Sequence, residues 1–108
     1  SVHFGLNHGL ANALCLIPVM RFNADRKPGV YHRIALTLEL EDATDHAVID
    51  ATESLLREIG IVGGLRNHGV EEEALERLAD AAFADSCHKT NPVPVTRDDL
   101  LALYVQAL

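Results

Sequence analysis

Six histidines and two cysteines in a chain of 108 residues raise a metal site as the first chemical question. Iron and zinc take imidazole and thiolate donors at recognisable spacings, and the chain shows none of them. There is no HExxH, no pair of histidines four apart on one helix, and Cys15 and Cys87 stand far apart with no CxxC. His3 and His8 are five apart, so they would not share a helix face. His32, His46 and His68 fall on polar stretches, where a solvated imidazole is the plain reading. A metal site complete within this chain is therefore not expected, and both cysteines read as reduced packing residues.

His8 stands apart from the others by its context. It opens HGLANALCLIPVMRFN, a stretch running from His8 to Asn23 that is almost entirely apolar up to Pro18 and closes on Arg21, Phe22 and Asn23. Its apolar residues lie on every face of a helix, and a helix hydrophobic all round belongs inside something larger than itself. Read from spacing alone, His8 is either a helix-start residue, a half-buried imidazole or a metal or catalytic group at the edge of a buried rod.

The elements that must position such a residue follow from pattern. A first helix is expected from about Gly9 to Phe22, kinked or ended by Pro18, and Asn23 to Gly29 reads as a turn. Tyr31 to Leu40 reads as a second helix through Tyr31, Ile34 and Leu38. The alternation in ALTLEL offers a strand instead, but a lone strand would have no partner in this chain. Thr44 and Asp45 sit where an N-cap belongs, ahead of a helix to Ile59 carrying Val48, Ala51, Leu55 and Ile59 inward, with Gly60 as the stop. Residues 61 to 69 read as a loop with a short turn around Leu65 to Asn67. Glu71, Glu72 and Glu73 suit the first turn of a helix whose stripe is Leu75, Leu78, Ala79, Ala82 and Phe83. After the polar loop from Asp85 to Val95, Thr96 and Asp99 form a capping box for a last helix with Leu100, Leu101, Tyr104 and Leu108 inside. The fold class is all-α, with about five helices in a single segment over residues 1–108.

Composition narrows the partners. Apolar residues make up 48% of the chain, which rules out disorder, while the low aromatic content leaves Leu, Ala, Ile and Val to fill a helical interior. A formal charge of −7 with scattered Lys and Arg argues against nucleic acid. No stretch approaches the roughly twenty apolar residues needed to span a bilayer, residues 2–7 are too short and polar for a signal peptide, and the reduced cysteines suit a cytoplasmic protein. The first residue is Ser rather than Met, as expected of a processed product or a piece of a longer polypeptide.

Two motif sets then carry a resemblance. HGLANA, an apolar run, a proline and VMRFN resemble the segment of iron-containing (group III) alcohol dehydrogenases that holds the last histidine ligand of the catalytic metal. In that family the proline stands where this chain has Ile17, a histidine follows where it has Pro18, and a proline often precedes the ligand where it has Asn7. The later half is similar too: LLREIGIVGGLRNHGV, an acidic helix, the D-x-C-x-x-x-N-P loop met by Asp85, Cys87, Asn91 and Pro92, and a final helix opening with Thr96. Many members carry arginine where this chain has Val93.

The resemblance implies a nucleotide-binding α/β half followed by an all-helical half, of which this chain would be the later, C-terminal part. It implies a metal held by one aspartate and three histidines, with His8 alone inherited here and His3 at the wrong separation to serve. It implies Fe(2+) or Zn(2+) and NAD(P), an alcohol interconverted with an aldehyde or ketone, and a homo-oligomer, and it sets Cys87 near the substrate pocket, where a buried inert thiol is the competing reading. No glycine-rich nucleotide turn is present, so both cofactors are expected only in the complete enzyme and this chain alone should be inactive. The alternative is a free-standing acidic helical module that binds a partner protein through the apolar first helix.

Overall fold

The computed structural model describes residues 8–108, with the side chains of His8, Ser86 and Cys87 excepted; the expected loop at 1–7 lies outside the described residues. Five α-helices and no strand occur among them: α1 (His8–Arg26), α2 (His32–Thr37), α3 (Asp45–Glu58), α4 (Leu75–Ala84) and α5 (Arg97–Ala107). Single 3₁₀ turns lie at Leu65–His68, Glu72–Ala74 and Ser86–Thr90.

The first helix is longer than its proline suggests. Pro18 lies inside α1, which continues to Arg26 rather than ending early. An interior proline costs about 3 kcal/mol, and the residues around it outweigh that cost by burial. Leu14 joins one apolar core with Leu65, Val70, Leu75, Leu78 and Ala107. Ile17 and Met20 join a second with Ala35, Val48 and Ile49. One helix thus supplies a wall of both cores. Leu16 keeps 39% of its surface exposed, so α1 is not covered on all sides within the described residues.

The second helix is shorter than expected, at six residues. It stops because Glu39 takes a left-handed backbone (φ 56°), which turns the chain out of the helix. Ala35, fully buried, is its inner residue, while Ile34 and Leu38 face out. The Asp45 carboxylate ties its entry to α3 by accepting from the backbone N–H groups of Gly29 (2.7 Å) and Tyr31 (2.8 Å).

In α3 the Thr44 hydroxyl accepts from the Ala47 N–H at 3.1 Å, as the N-cap reading requires. Its inward residues are Val48 and Ile49, with Leu56 packed beside them. Leu55 and Ile59 face out, because the inner stripe turns toward 48, 49 and 56. The three glutamates at 71–73 lie at and in the 3₁₀ turn that leads into α4, not in its first turn. Leu75, Leu78 and Ala79 of α4 are buried as expected, but Phe83 is exposed and stacks on His88 with ring centroids 4.9 Å apart.

The capping box of α5 is present: Thr96 Oγ1 accepts from Asp99 N–H at 3.1 Å, and Asp99 Oδ2 accepts from Thr96 N–H at 3.0 Å. Leu103 and Ala107 are its buried residues, with Leu101, Tyr104 and Leu108 packed at the core margin. Arg26 meets Asp99 at one end of α5 and Leu14 meets the core of Ala107 at the other, so α5 runs antiparallel to α1.

The end of α5 is seated on Gly64. A Cβ built there would run into the carbonyl oxygen of Leu108, which also accepts from the Arg66 N–H at 3.2 Å. Gly64→Ala must therefore push a backbone carbonyl out of a hydrogen bond, and a loss of about 1–3 kcal/mol is expected in denaturant unfolding. An unchanged unfolding midpoint would show that Leu108 can leave Gly64 at no cost.

Candidate functional site

His8 is the first described residue of α1, and its imidazole lies outside the described side chains. The four other described histidines are engaged near the surface. His32 Nδ1 lies 2.9 Å from Ala43 O, His88 Nε2 lies 3.0 Å from Phe83 O, and His68 Nε2 lies 3.4 Å from Val62 O. His46 pairs with Asp50 one turn away at 3.1 Å. Among the described residues no three His, Cys, Asp or Glu side chains converge as a metal site. An imidazole at His8 suits iron or zinc in kind, but one donor is not a coordination sphere.

Cys15 is partly buried against the Leu14 core, and that burial pushes its thiol up, away from the reactive thiolate. Tyr104, beside it, is pushed up by burial too. Cys87, assigned to the pocket by resemblance, has its side chain outside the described part.

The opposite end of α1 holds a polar cluster. Asn23 is 3% exposed, the one buried polar side chain among the described residues. Its Nδ2 donates to Asn91 Oδ1 (3.1 Å) and to the Tyr31 hydroxyl (3.1 Å). Asn91 Nδ2 in turn donates to Asn23 Oδ1 (2.7 Å) and to Val93 O (2.9 Å). The closing asparagine of VMRFN and the asparagine of the N-P loop are thus joined directly, across 68 positions of sequence. The sequence pattern reads Asn23 as the start of a turn, whereas it lies inside α1. The signal that could have found it is its place three beyond Met20 and six beyond Ile17, on an otherwise apolar stripe.

Nearby, Arg26 reaches Asp99 at 3.1 Å and lies over the Phe22 ring, 4.7 Å from its centroid. The Thr96 backbone N–H, with Arg26 adding to it, holds the Asp99 carboxyl below the usual carboxylate range. An open groove of about 570 Å³ lies along the other side of α1, walled by Leu14, Ile17, Leu56 and Ala107. Glu53 bridges Arg21 (3.4 Å) and Arg57 (3.3 Å) at its rim.

The sequence profile described as Fe-containing alcohol dehydrogenase family, C-terminal, matches residues 1–108. The chain belongs to that family. It is 39% identical over 104 residues to the lactaldehyde reductase of Escherichia coli (strain K12), covering 90% of this chain and 27% of that protein. It is 33% identical over 108 residues to the 4-hydroxybutyrate dehydrogenase of Cupriavidus necator, covering 96% of this chain and 28% of that one. Its fold superposes on a crystal structure of a 1,3-propanediol oxidoreductase with a TM-score of 0.86 at 30% identity, covering 97% of this chain and 29% of that chain. The chain therefore spans less than a third of the length of these relatives, as the all-helical C-terminal part of the family. No helix among the described residues is long and apolar enough to cross a membrane.

Proposed function

We propose that this chain is the C-terminal part of a metal-dependent, NAD(P)-linked alcohol dehydrogenase and that His8 supplies one nitrogen ligand to its catalytic metal. The observation that carries the reading is the family match along the whole chain, with HGLANA lying on α1. Divalent iron or zinc, when bound, acts as a Lewis acid on the alcohol or carbonyl oxygen while the nicotinamide takes or gives hydride.

The part played by this chain is narrower. α1 presents His8, whose imidazole must be neutral at the ligating nitrogen, and the two apolar cores hold α1 in place. The nicotinamide pocket and the other metal ligands belong to the rest of the enzyme, which we read as a cytoplasmic homo-oligomer acting on small alcohols, aldehydes or ketones.

The test is metal removal from the full-length polypeptide that carries this segment. Chelation is expected to abolish NAD(P)-linked oxidation of a small primary alcohol, and iron(II) or zinc to restore it. Turnover that survives complete metal removal would overturn the reading.

A further inference from the structure

We infer that the Asn23–Asn91 amide pair positions His8 by fixing where α1 sits along its own axis, so that both asparagines govern how firmly the metal is held. The inference rests on the reading of His8 as a ligand.

α1 is held in two different ways. Leu14, Ile17 and Met20 bury it in the two cores, but apolar contact is non-directional and sets depth better than axial register or tilt. Register needs directional bonds between groups that cannot be satisfied elsewhere. The Asn23 cluster supplies three of them, at 2.7 to 3.1 Å, around a side chain that is 3% exposed, and a fourth, from Asn91 to Val93 O, holds Asn91 itself. A slip of α1 would strand the buried Asn23 amide, which costs far more than sliding one methyl past another. Arg21 and Arg26 add ion pairs on this half of α1, but their side chains are more than half exposed, and such surface pairs hold weakly.

What is fixed at Asn23 is carried to His8 because both lie on one continuous helix. Fifteen residues of helix make a rod of about 22 Å. An axial slip passes along it undiminished, and a tilt of about 3° moves its far end by roughly 1 Å. Metal sites tolerate ligand distances to within about 0.2 Å. Loss of the amide pair should therefore loosen a ligand that neither asparagine touches, which makes them positioning residues rather than catalytic ones.

The experiment measures the rate at which the full-length, metal-loaded protein gives up its metal to a coloured chelator, well below the unfolding temperature. Asn91→Ala is compared with Leu103→Ala, a core variant on α5 outside both named clusters, as a control for lost stability. Asn91→Ala is expected to release metal about tenfold faster, the lower end of what removing a group that supports a ligand costs. Leu103→Ala should stay within about twofold of the unchanged protein. Tyr31→Phe removes only one bond of the cluster and should fall between them, at about threefold, which decides the matter if Asn91→Ala does not fold. Equal release from Asn91→Ala, Tyr31→Phe and the unchanged protein would overturn the positioning role and leave His8 as a ligand. An unchanged full-length protein that holds no metal would overturn both.

Discussion

His8→Ala in the full-length polypeptide is expected to lower metal affinity by more than about a hundredfold and to take alcohol oxidation down with it. The magnitude follows from what ligands do: removing a group that merely supports a ligand costs roughly 10–100-fold, and removing the ligand itself must cost more. The fold should survive, because the described cores take in α1 from Leu10 and Leu14 onward and not His8. Replacing His46 or His68 gives the contrast. These residues engage Asp50 and Val62 O near the surface, and their loss should leave metal content unchanged. Metal content by elemental analysis, read beside a helical circular dichroism spectrum, separates ligand loss from unfolding. A His8→Ala protein with full metal occupancy and full activity would remove this residue from the coordination sphere.

How much of this was legible in the sequence depended on how local the cause was. The Thr44 cap and the Thr96–Asp99 box were readable because a cap involves residues three apart in the chain. Leu75, Leu78 and Ala79 were readable because α4 packs with a plain 3.6-residue stripe. The stop of α2 was not, since a left-handed Glu39 has no strong sequence mark; and Leu103 and Ala107 were missed because α5 is apolar on more than one face. The end of α1 was read four residues early, at Phe22 rather than Arg26, for a third reason. Proline's local penalty is fixed, whereas the burial that outweighs it comes from helices far along the chain. For the site, motif order points to His8 only through the resemblance, and nothing in it points to the cluster at the other end of the same helix. That cluster exists only once positions 23 and 91 meet.

The meeting of those positions leads to the second large effect, a non-additive one. Asn23→Leu branches at the same carbon as asparagine but carries no polar atoms. It leaves Asn91 Oδ1 without its donor, takes the acceptor from one Asn91 N–H, and strips a donor from the Tyr31 hydroxyl. Unsatisfied buried groups of this kind cost about 1–3 kcal/mol each when water cannot reach them, so a loss of about 2–4 kcal/mol in the full-length protein is expected. Asn91→Leu should cost a similar amount by leaving Asn23 Oδ1 and Val93 O unpaired. In the double variant the amides that stranded each other are both gone, and only Tyr31 and Val93 are left short of a donor. The double loss should therefore be smaller than the sum of the single losses by about 1–3 kcal/mol, the coupling of two groups in direct contact. Denaturant unfolding of the four proteins of the cycle measures it. Strict additivity within about 0.5 kcal/mol would mean that the two asparagines act separately, and the amide pair could then not be what fixes α1.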